Sequence, residues 1–262
     1  MRSLIPLLCV AWLMAGCPRA SADSAQVHRH VVVLVYHRFG ATVDSAMTVR
    51  MQTFEAQLRT IQATGYRIVA LADVVDWQAG NDVALPERAV AITVDDGHRS
   101  VYETLWPAVR GRPIPVTLFI YPSAISNASY AMTWAQLREL VAGGQFDVQS
   151  HTYWHPDFRV EQQHRGAEDF SRFVHDQLRR SRTRLETETA RPVHLLAWPF
   201  GIHGPVLERI AQEEGYIAGF TLEAQPVRRT QRAMALPRYL MTDRCGVQCM
   251  ADMLRAGEER HE

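Results

Sequence analysis

Two adjacent carboxylates follow an apolar, β-branched run in this chain. Residues 89–94 lead directly into Asp95, Asp96 and Gly97. Such a run predicts a buried strand, and the carboxyl ends of strands are where α/β barrels and open sheets place their chemistry. Two carboxylates this close repel each other unless a cation or hydrogen-bond donors offset their charge. The pair therefore predicts a functional site in which a cation or hydrogen-bond donors offset this charge, or else a simple turn, since Asp-Gly is common turn chemistry.

A pair of histidines follows a second predicted strand. His151 and His155, with three residues between them, come directly after the strand-like residues 146–149. Two imidazoles at this spacing can face one point, and with a carboxylate they form a metal site that leaves positions open for water and substrate. A single histidine is more often an ordinary core or surface residue. The pair, taken with the two aspartates, favours a metal centre.

The elements that must position these side chains alternate between strand and helix. Strands are predicted at residues 31–36, 66–69, 89–94, 116–121, 146–149, 194–198, 217–222 and 234–240. Helices are predicted from residue 53 to Gly65 and at residues 71–77, 100–109, 134–142, 168–188, 205–214 and 247–256. This α/β alternation predicts a parallel sheet closed into a distorted (β/α) barrel of about seven strands. An open, doubly wound sheet is the alternative, but no G-x-G-x-x-G follows a strand, which disfavours a nucleotide fold.

Composition limits the kind of partner. The chain has 262 residues, of which 47% are hydrophobic, and this suits a single large domain. Its formal net charge is zero. A neutral protein of this kind is not expected to act mainly on nucleic acid or on an anionic membrane surface.

The first 22 residues are typical of an export signal. Residues 4–15 form an apolar stretch that is too short to span a bilayer comfortably. Residues 13–17 resemble a bacterial lipobox, in which cleavage before Cys17 would leave a lipidated cysteine attached to a membrane. Alternatively, cleavage after Ala22 at an A-x-A site would release a soluble protein. We favour the lipobox slightly, and expect an exported periplasmic domain over residues 23–262, with attachment to the outer membrane if Cys17 is lipidated.

Cysteine usage agrees with export. Beyond the signal only Cys245 and Cys249 remain. In an oxidising compartment these two can close a small disulfide loop. One alternative is that the two cysteines bind a metal, but no second pair of ligands lies nearby. Another alternative is that both remain free thiols. We expect the disulfide.

Together these motifs resemble a known family. Residues 93–97, Thr-Val-Asp-Asp-Gly, resemble the T-F-D-D-G motif of the polysaccharide deacetylases, the NodB-homology group or fourth carbohydrate esterase family. Residues 151–155, His-Thr-Tyr-Trp-His, resemble that family's H-[ST]-x-x-H motif. The similarity extends to residues 35–39 and 197–201 and covers roughly residues 31–242. The chain is most similar to the exported deacetylases that process poly-N-acetylglucosamine in biofilms.

The resemblance implies a role for each motif residue. Asp96, His151 and His155 would bind a divalent metal, usually zinc, and Asp95 would be the general base. The fold would be a barrel of the NodB-homology type. The substrate would be an N-acetylated polysaccharide, a β-linked N-acetylglucosamine polymer, and the products acetate and a free amine. Alternatives are deacetylation of peptidoglycan or chitin oligomers, hydrolysis of a small amide, and a polysaccharide-binding module without activity.

The chain departs from the family pattern near its third motif. An arginine that usually orients the base is absent, and Trp198 stands near its place, followed by Pro199 and Phe200. These three residues are candidates for binding substrate, with Trp198 as a wall on which a sugar ring stacks. Simple barrel packing is the alternative for Trp198. Arg238, at a late strand end, is the candidate to orient the base, and an ordinary surface arginine is its alternative.

The family usually has a histidine late in the chain that acts as the general acid. No residue after His203 in this chain fits that motif. Some group must still protonate the leaving amine. His37, at the end of the first predicted strand, is the candidate, as acid or as a substrate contact, because a histidine titrates near neutral pH.

Overall fold

A computed structural model describes residues 30–256 of the chain. The predicted export signal, with Cys17 and both cleavage positions, lies outside the described residues. Within residues 30–256, no helix combines the length and the apolar character needed to cross a membrane.

The described strands form one curved parallel sheet and one small accessory sheet. In chain order the strands are β1 (Val31–Tyr36), β2 (Arg38–Gly40), β3 (Thr48–Arg50), β4 (Arg67–Ile68), β5 (Ala89–Asp95), β6 (Val116–Ile120), β7 (Phe146–Ser150), β8 (Leu195–Ala197), β9 (Ala218–Phe220) and β10 (Tyr239–Leu240). The main sheet has the order β10-β1-β5-β6-β7-β8-β9, and the two-residue β4 also pairs with β5. Strands β2 and β3 pair separately.

Helices surround this sheet. They are α1 (Met51–Ala63), α2 (Leu71–Gln78), α3 (Trp106–Val109), α4 (Trp134–Ala142), α5 (Phe158–Gln163), α6 (Ala167–Thr189), α7 (Pro205–Glu213) and α8 (Val247–Arg255). A π-helical turn, Val101–Leu105, precedes α3, and short 3-10 turns occupy Pro199–Gly201 and Ala233–Ala235. Cys245 and Cys249 form a disulfide at the start of α8.

The sequence explains which strands are central. Strands β1 and β5 are buried along their whole length, and their runs of valine, alanine and isoleucine lack the alternation of a half-exposed strand. Inward-facing residues of the sheet, among them Ala91, Phe119 and Phe220, share one apolar cluster with Leu71 and Trp77 of α2. Helix α2 therefore covers the amino end of the barrel, and the carboxyl end is left for chemistry.

The barrel closes through the segment 236–241, which we call the seam. At its start, the Leu236 amide donates to Gly219 and its carbonyl accepts from Thr221, both at β9. At its end, Tyr239 and Leu240 pair with β1, opposite Leu34 and Val35. The seam thus joins the first and last strands of the ring.

The predicted distorted barrel is confirmed, with seven strands in the ring and β4 beside them. The strand predicted at residues 234–240 is broken, because Pro237 has no N–H to donate and the chain crosses there from β9 to β1. The helix predicted at residues 100–109 is a π-helical turn followed by α3, and Pro107 lies at the junction. Helix α5 and the small β2–β3 sheet were not predicted.

Candidate active site

Three metal-ligating side chains meet at the carboxyl ends of β5 and β7. Nε2 of His151 lies 3.7 Å from Oδ1 of Asp96, and Nε2 of His155 lies 3.8 Å from the same oxygen. One ligand atom from each of the three residues lies within 4.8 Å of the others. These separations are too long for hydrogen bonds but suit atoms that share one ion, each about 2.0–2.2 Å from it. The predicted ligand set is therefore brought together.

The histidines are prepared to act as ligands. Nδ1 of His151 lies 2.7 Å from the carbonyl oxygen of Ala197, to which a protonated Nδ1 donates. That hydrogen bond leaves the lone pair of Nε2 facing Asp96, the arrangement found behind metal-bound histidines. Burial and the neighbouring His151 lower the pKa of His155 to about 4. Its imidazole is therefore neutral near pH 7, as ligation requires.

The backbone is strained where the ligands leave their strands. Asp96, Thr152 and His155 have φ values of 74°, 63° and 63°, in the left-handed region that non-glycine residues seldom adopt. The Asp96 amide donates to the Phe119 carbonyl at 3.0 Å, which fixes this conformation. Such strain gathers at functional sites because the surrounding structure over-determines it.

Gly97 is required by two independent constraints. Its φ is +74°, and a Cβ atom at this position would lie 2.9 Å from Cδ1 of Ile125 and 3.0 Å from Cδ1 of Ile120. The turn interpretation of Asp-Asp-Gly is therefore confirmed, and it is compatible with the metal-site interpretation. The tight turn is what directs Asp96 to the histidines.

Asp95 forms a buried ion pair with Arg238. Its Oδ1 and Oδ2 each accept a hydrogen bond of 2.8 Å from Nη1 and Nη2 of Arg238. The side chain of Arg238 is 0% exposed and that of Asp95 is 2% exposed. Burial would raise the pKa of Asp95, but the positive charge of Arg238 outweighs it and holds that pKa below its usual value. Asp95 is therefore a fixed carboxylate.

Further contacts hold the guanidinium of Arg238 inside the barrel. Its Nε donates to the Thr221 carbonyl at 3.2 Å, and its Nη1 also donates to Oγ1 of Thr93 at 3.1 Å. Its Cζ lies over the ring of Phe119, 5.2 Å from the ring centroid. This is the geometry that the predicted orienting role requires, and full burial rules out an ordinary surface arginine.

His37 follows β1 beside the aspartates. Tyr36, the residue before it, lies opposite Val94 in the sheet, and the charges of Asp95 and Asp96 act on the His37 imidazole. Its Nδ1 is buried without a hydrogen-bond partner among the described residues. Burial lowers the pKa of His37, and the charges of Asp95 and Asp96 act in the opposite direction. The structure thus brings His37 to the site.

The expectation that Trp198 stacks on a sugar is wrong for this structure. Its side chain is 0% exposed, and its Nε1 donates to the Met234 carbonyl at 2.8 Å. Trp198 packs instead in the apolar cluster that contains Phe158 of α5 and Met234, on the face opposite to the inward-facing residues of the sheet, and Pro199 is buried with it. Phe200 is different: it is 58% exposed, has a φ of 55°, and its ring centroid lies 4.6 Å from that of His155.

A groove that sequence reasoning missed opens beside His155. It has a volume of about 430 Å³ and is lined by Tyr121, Ser123, Ala124, Asn127, Ala128, Tyr130, Trp154 and His155. Most of these residues lie in the irregular loop 121–133, which has no periodic pattern to read. The aromatic residues Tyr121, Tyr130 and Trp154 are the one sequence feature that could have indicated this groove. A cavity of about 580 Å³ lies at the opposite, amino end of β6–β8, away from the ligands.

The family assignment rests on sequence as well as geometry. The sequence pattern of the polysaccharide deacetylases matches residues 82–219, which is 138 of the 262 residues. The chain belongs to the polysaccharide deacetylase family. The matched part includes Asp95, Asp96, His151 and His155, and so contains the whole candidate metal centre.

Two relatives that are N-deacetylases by name align with most of this chain. The poly-beta-1,6-N-acetyl-D-glucosamine N-deacetylase of Escherichia coli K12 is 25% identical over 279 residues, which cover 91% of this chain and 40% of that protein. The enzyme of that name from Staphylococcus epidermidis is 21% identical over 196 residues, which cover 73% and 67%. The chain thus spans about two fifths of the length of the Escherichia coli relative.

Solved structures of the family share the fold. IcaB from Ammonifex degensii superposes with a TM-score of 0.75 at 28% identity, over 87% of this chain and 98% of that one. The Streptococcus pyogenes deacetylase PplD, determined with acetate, gives a TM-score of 0.76 at 18% identity, over 86% and 98%. At that identity the second comparison concerns the fold alone, and it agrees with the distorted barrel described above.

Proposed function

We propose that the protein is a metal-dependent hydrolase that removes N-acetyl groups from a β-linked N-acetylglucosamine polymer. The observation that carries the proposal is the side-by-side placement of a fixed carboxylate, Asp95, and the ligand set Asp96, His151 and His155. Oδ2 of Asp95 lies 3.8 Å from Nε2 of His151, so base and ligands face one space. The names of the Escherichia coli and Staphylococcus epidermidis relatives support the choice of polymer.

Asp96, His151 and His155 would hold the metal. Two neutral imidazoles and one carboxylate are a donor set that suits zinc and leaves positions open for substrate and water. When bound, such a cation would polarise the acetyl carbonyl and lower the pKa of a nearby water. The anchored Nδ1 of His151 is the observation of this structure that fits the assignment best.

Asp95 accepts the proton in this mechanism. The attacking water gives its proton to Oδ2, the oxygen nearer the ligand set, while Arg238 keeps the carboxylate charged and its plane fixed. Because both side chains are buried, neither has to reorganise as the reaction proceeds. Arg238 is thus a positioning residue that acts through Asp95.

The leaving amine must receive a proton as the C–N bond breaks. We assign this donation to His37, which directly follows β1 and lies close enough to Asp95 and Asp96 for their charges to act on its imidazole. Phe200 covers one side of His155 with an exposed ring, and an acetylated sugar can pack its apolar face there. The products are acetate and a glucosamine residue within the polymer.

We also infer that the protein is exported. The support is the signal-like stretch at residues 1–22 together with the disulfide between Cys245 and Cys249, which is typical of an oxidising compartment. Lipidation at Cys17 would attach it to a membrane. Metabolic labelling with a palmitate analogue tests this, with Cys17→Ser as the control, and cleavage after Ala22 with no label would contradict lipidation.

A linkage series tests the proposed activity. Zinc-loaded protein is incubated with N-acetylglucosamine oligomers of β-1,6 or β-1,4 linkage and with peptidoglycan fragments, and released acetate is measured. We expect the fastest release from the β-1,6 oligomers and a loss of at least about 100-fold in Asp95→Asn. Asp147→Asn, which alters a partly buried acid at the amino end of the barrel, is the matched control and should retain activity.

The alternatives correspond to distinct results. Faster release from β-1,4 oligomers or peptidoglycan would transfer the substrate assignment to those polymers. Release that is unchanged in Asp95→Asn would overturn the assignment of the base. Binding of oligomers without any release of acetate would favour a polysaccharide-binding module, the interpretation to which the absent late histidine points.

A further inference from the structure

Tyr121 stands at the carboxyl end of β6, between the two strands that lead into the metal ligands. The sheet order β5-β6-β7 places it between Asp96, which follows β5, and His151, which follows β7. Its ring centroid lies 6.4 Å from that of His151 and 5.4 Å from that of His155. Its side chain is half-buried and lines the groove beside His155. A phenol therefore stands beside both imidazoles and remains open to a substrate.

The hydroxyl of Tyr121 is hydrogen-bonded to that of Tyr130. Either oxygen can be the donor in this bond, because each hydroxyl can both donate and accept. Tyr130 is 37% exposed, and its ring stacks in parallel on that of His98. When Tyr130 donates to Tyr121, the proton of Tyr121 is free for another acceptor. A hydroxyl that already accepts one hydrogen bond is a stronger donor of the next.

The Tyr121 hydroxyl keeps its proton close to the ligand carboxylate. Burial raises the pKa of Tyr121, and the hydrogen bond with Tyr130 and the charge of Asp96 act in the same direction. The hydroxyl of Thr152 is not available in the same way, since its side chain is 0% exposed and its Oγ1 accepts from the His155 amide at 3.2 Å. Tyr121 thus presents a protonated, accessible donor beside the ligand set.

Amide hydrolysis needs such a donor at the acetyl oxygen. As the water oxygen bonds to the acetyl carbon, an electron pair of the C=O bond moves onto the carbonyl oxygen. The pair returns when the C–N bond breaks and the amine takes up a proton. A donor that is fixed in place before the reaction binds this oxygen most strongly while it is negatively charged, and so lowers the barrier.

We infer that Tyr121 is a further catalytic residue, whose hydroxyl donates a hydrogen bond to the acetyl oxygen as negative charge develops there. Tyr130 is then a positioning residue, which acts by donating to Tyr121. This role rests on the proposed function, since it requires the acetyl group to lie beside the ligand set.

The first test is Tyr121→Phe, which removes the hydroxyl and keeps the ring. We expect kcat for acetate release to fall by roughly 100-fold, the low end for loss of one such donor, with KM and zinc content little changed. Tyr130→Phe should cause a smaller fall in kcat. Tyr102→Phe is the matched control: its hydroxyl donates to Oε2 of Glu139 at 2.6 Å, away from the ligands, and its loss should leave kcat unchanged. A fall below about threefold in Tyr121→Phe, or a loss that lies only in KM, would overturn the inference.

A binding measurement separates this role from the proposed activity. The probes are N-acetylglucosamine and its methylphosphonamidate analogue, whose tetrahedral phosphorus carries a charged oxygen in place of the acetyl oxygen. Each is titrated by calorimetry into zinc-loaded Asp95→Asn protein, with and without Tyr121→Phe. We expect Tyr121→Phe to weaken binding of the phosphonamidate by at least about tenfold, the scale of one hydrogen bond to a charged group, and to leave N-acetylglucosamine binding unchanged.

The outcomes of this titration are distinct. Selective weakening of the phosphonamidate supports the Tyr121 donor even if no variant releases acetate, a result that would refute only the proposed hydrolysis. Equal binding of the phosphonamidate by the two proteins, or an equal weakening of both probes, would overturn the catalytic role of Tyr121.

Discussion

Replacing Arg238 by methionine removes the counter-charge of a buried carboxylate while keeping most of the side-chain volume. In the wild type, Asp95 receives two hydrogen bonds of 2.8 Å from Arg238, and neither side chain is accessible to water. In Arg238→Met the carboxylate would be left charged and without its partner. Breaking a buried pair in this way lowers the free energy of unfolding by about 3–5 kcal/mol. Since whole domains are stable by about 5–15 kcal/mol, the variant should fold but unfold at a clearly lower urea concentration.

The size of this effect depends on pH in a direction that the structure fixes. In the wild type Arg238 depresses the pKa of Asp95, so the stability this carboxylate contributes is present above its unfolded pKa and is lost as pH falls through the lower folded value. Without Arg238, burial raises the folded pKa, and acid then relieves the buried charge by protonating it. The difference between the two proteins should therefore be largest near pH 7 and shrink toward about pH 4.

The assay is urea unfolding followed by circular dichroism, with a chelator present so that no metal contributes to stability. Arg138→Met is the matched control, because Arg138 pairs with Glu188 at 2.6 Å on the surface and should contribute about 1 kcal/mol or less. The double variant Asp95→Asn/Arg238→Met should recover more than half of the loss. A loss below about 1 kcal/mol in Arg238→Met, or a loss that does not change with pH, would refute the reasoning.

Three further predictions use other parts of the structure. Gly97→Ala should lower the free energy of unfolding by about 1–3 kcal/mol more than Gly80→Ala. Both glycines have a positive φ, but only at position 97 would a Cβ atom press against neighbouring side chains. Urea unfolding of the two variants measures the difference. His37→Ala should lower kcat for acetate release by about 100-fold or more with zinc content unchanged, and unchanged turnover would remove His37 from the mechanism. Reduction of the Cys245–Cys249 disulfide, whose sequence separation is 4, should lower the free energy of unfolding by about 2 kcal/mol, measured with and without a thiol reductant; an equal stability in both conditions would contradict it.

The fold and the meeting of the three candidate ligands could be predicted from the sequence because both depend on local patterns. Unbroken apolar runs mark strands buried on both faces, and the ligands directly follow such runs, so their meeting at one edge of the barrel follows from parallel pairing. The helix boundaries near Thr133, which caps α4 with a capping box, follow from the same local rules.

The support around the ligands could not be predicted in the same way. Whether Arg238 reaches Asp95 depends on a contact between positions 143 residues apart, which local patterns do not contain. The direction of Trp198 depends on the register of β8, and a shift of one residue reverses which side a side chain faces. The groove residues Tyr130 and Asn127 lie in an irregular loop whose path is set by tertiary hydrogen bonds rather than by periodicity.

The seam at residues 236–241 has a consequence for folding as well as for structure. Arg238 is carried by the segment that closes the ring, so a chain in which that segment has not yet docked has a barrel core but no oriented base. Closing a loop of 143 residues is entropically unfavourable until the intervening strands are in place. A molecule can therefore be active only after the barrel is complete, that is, after β10 has paired with β1 and Arg238 has reached Asp95.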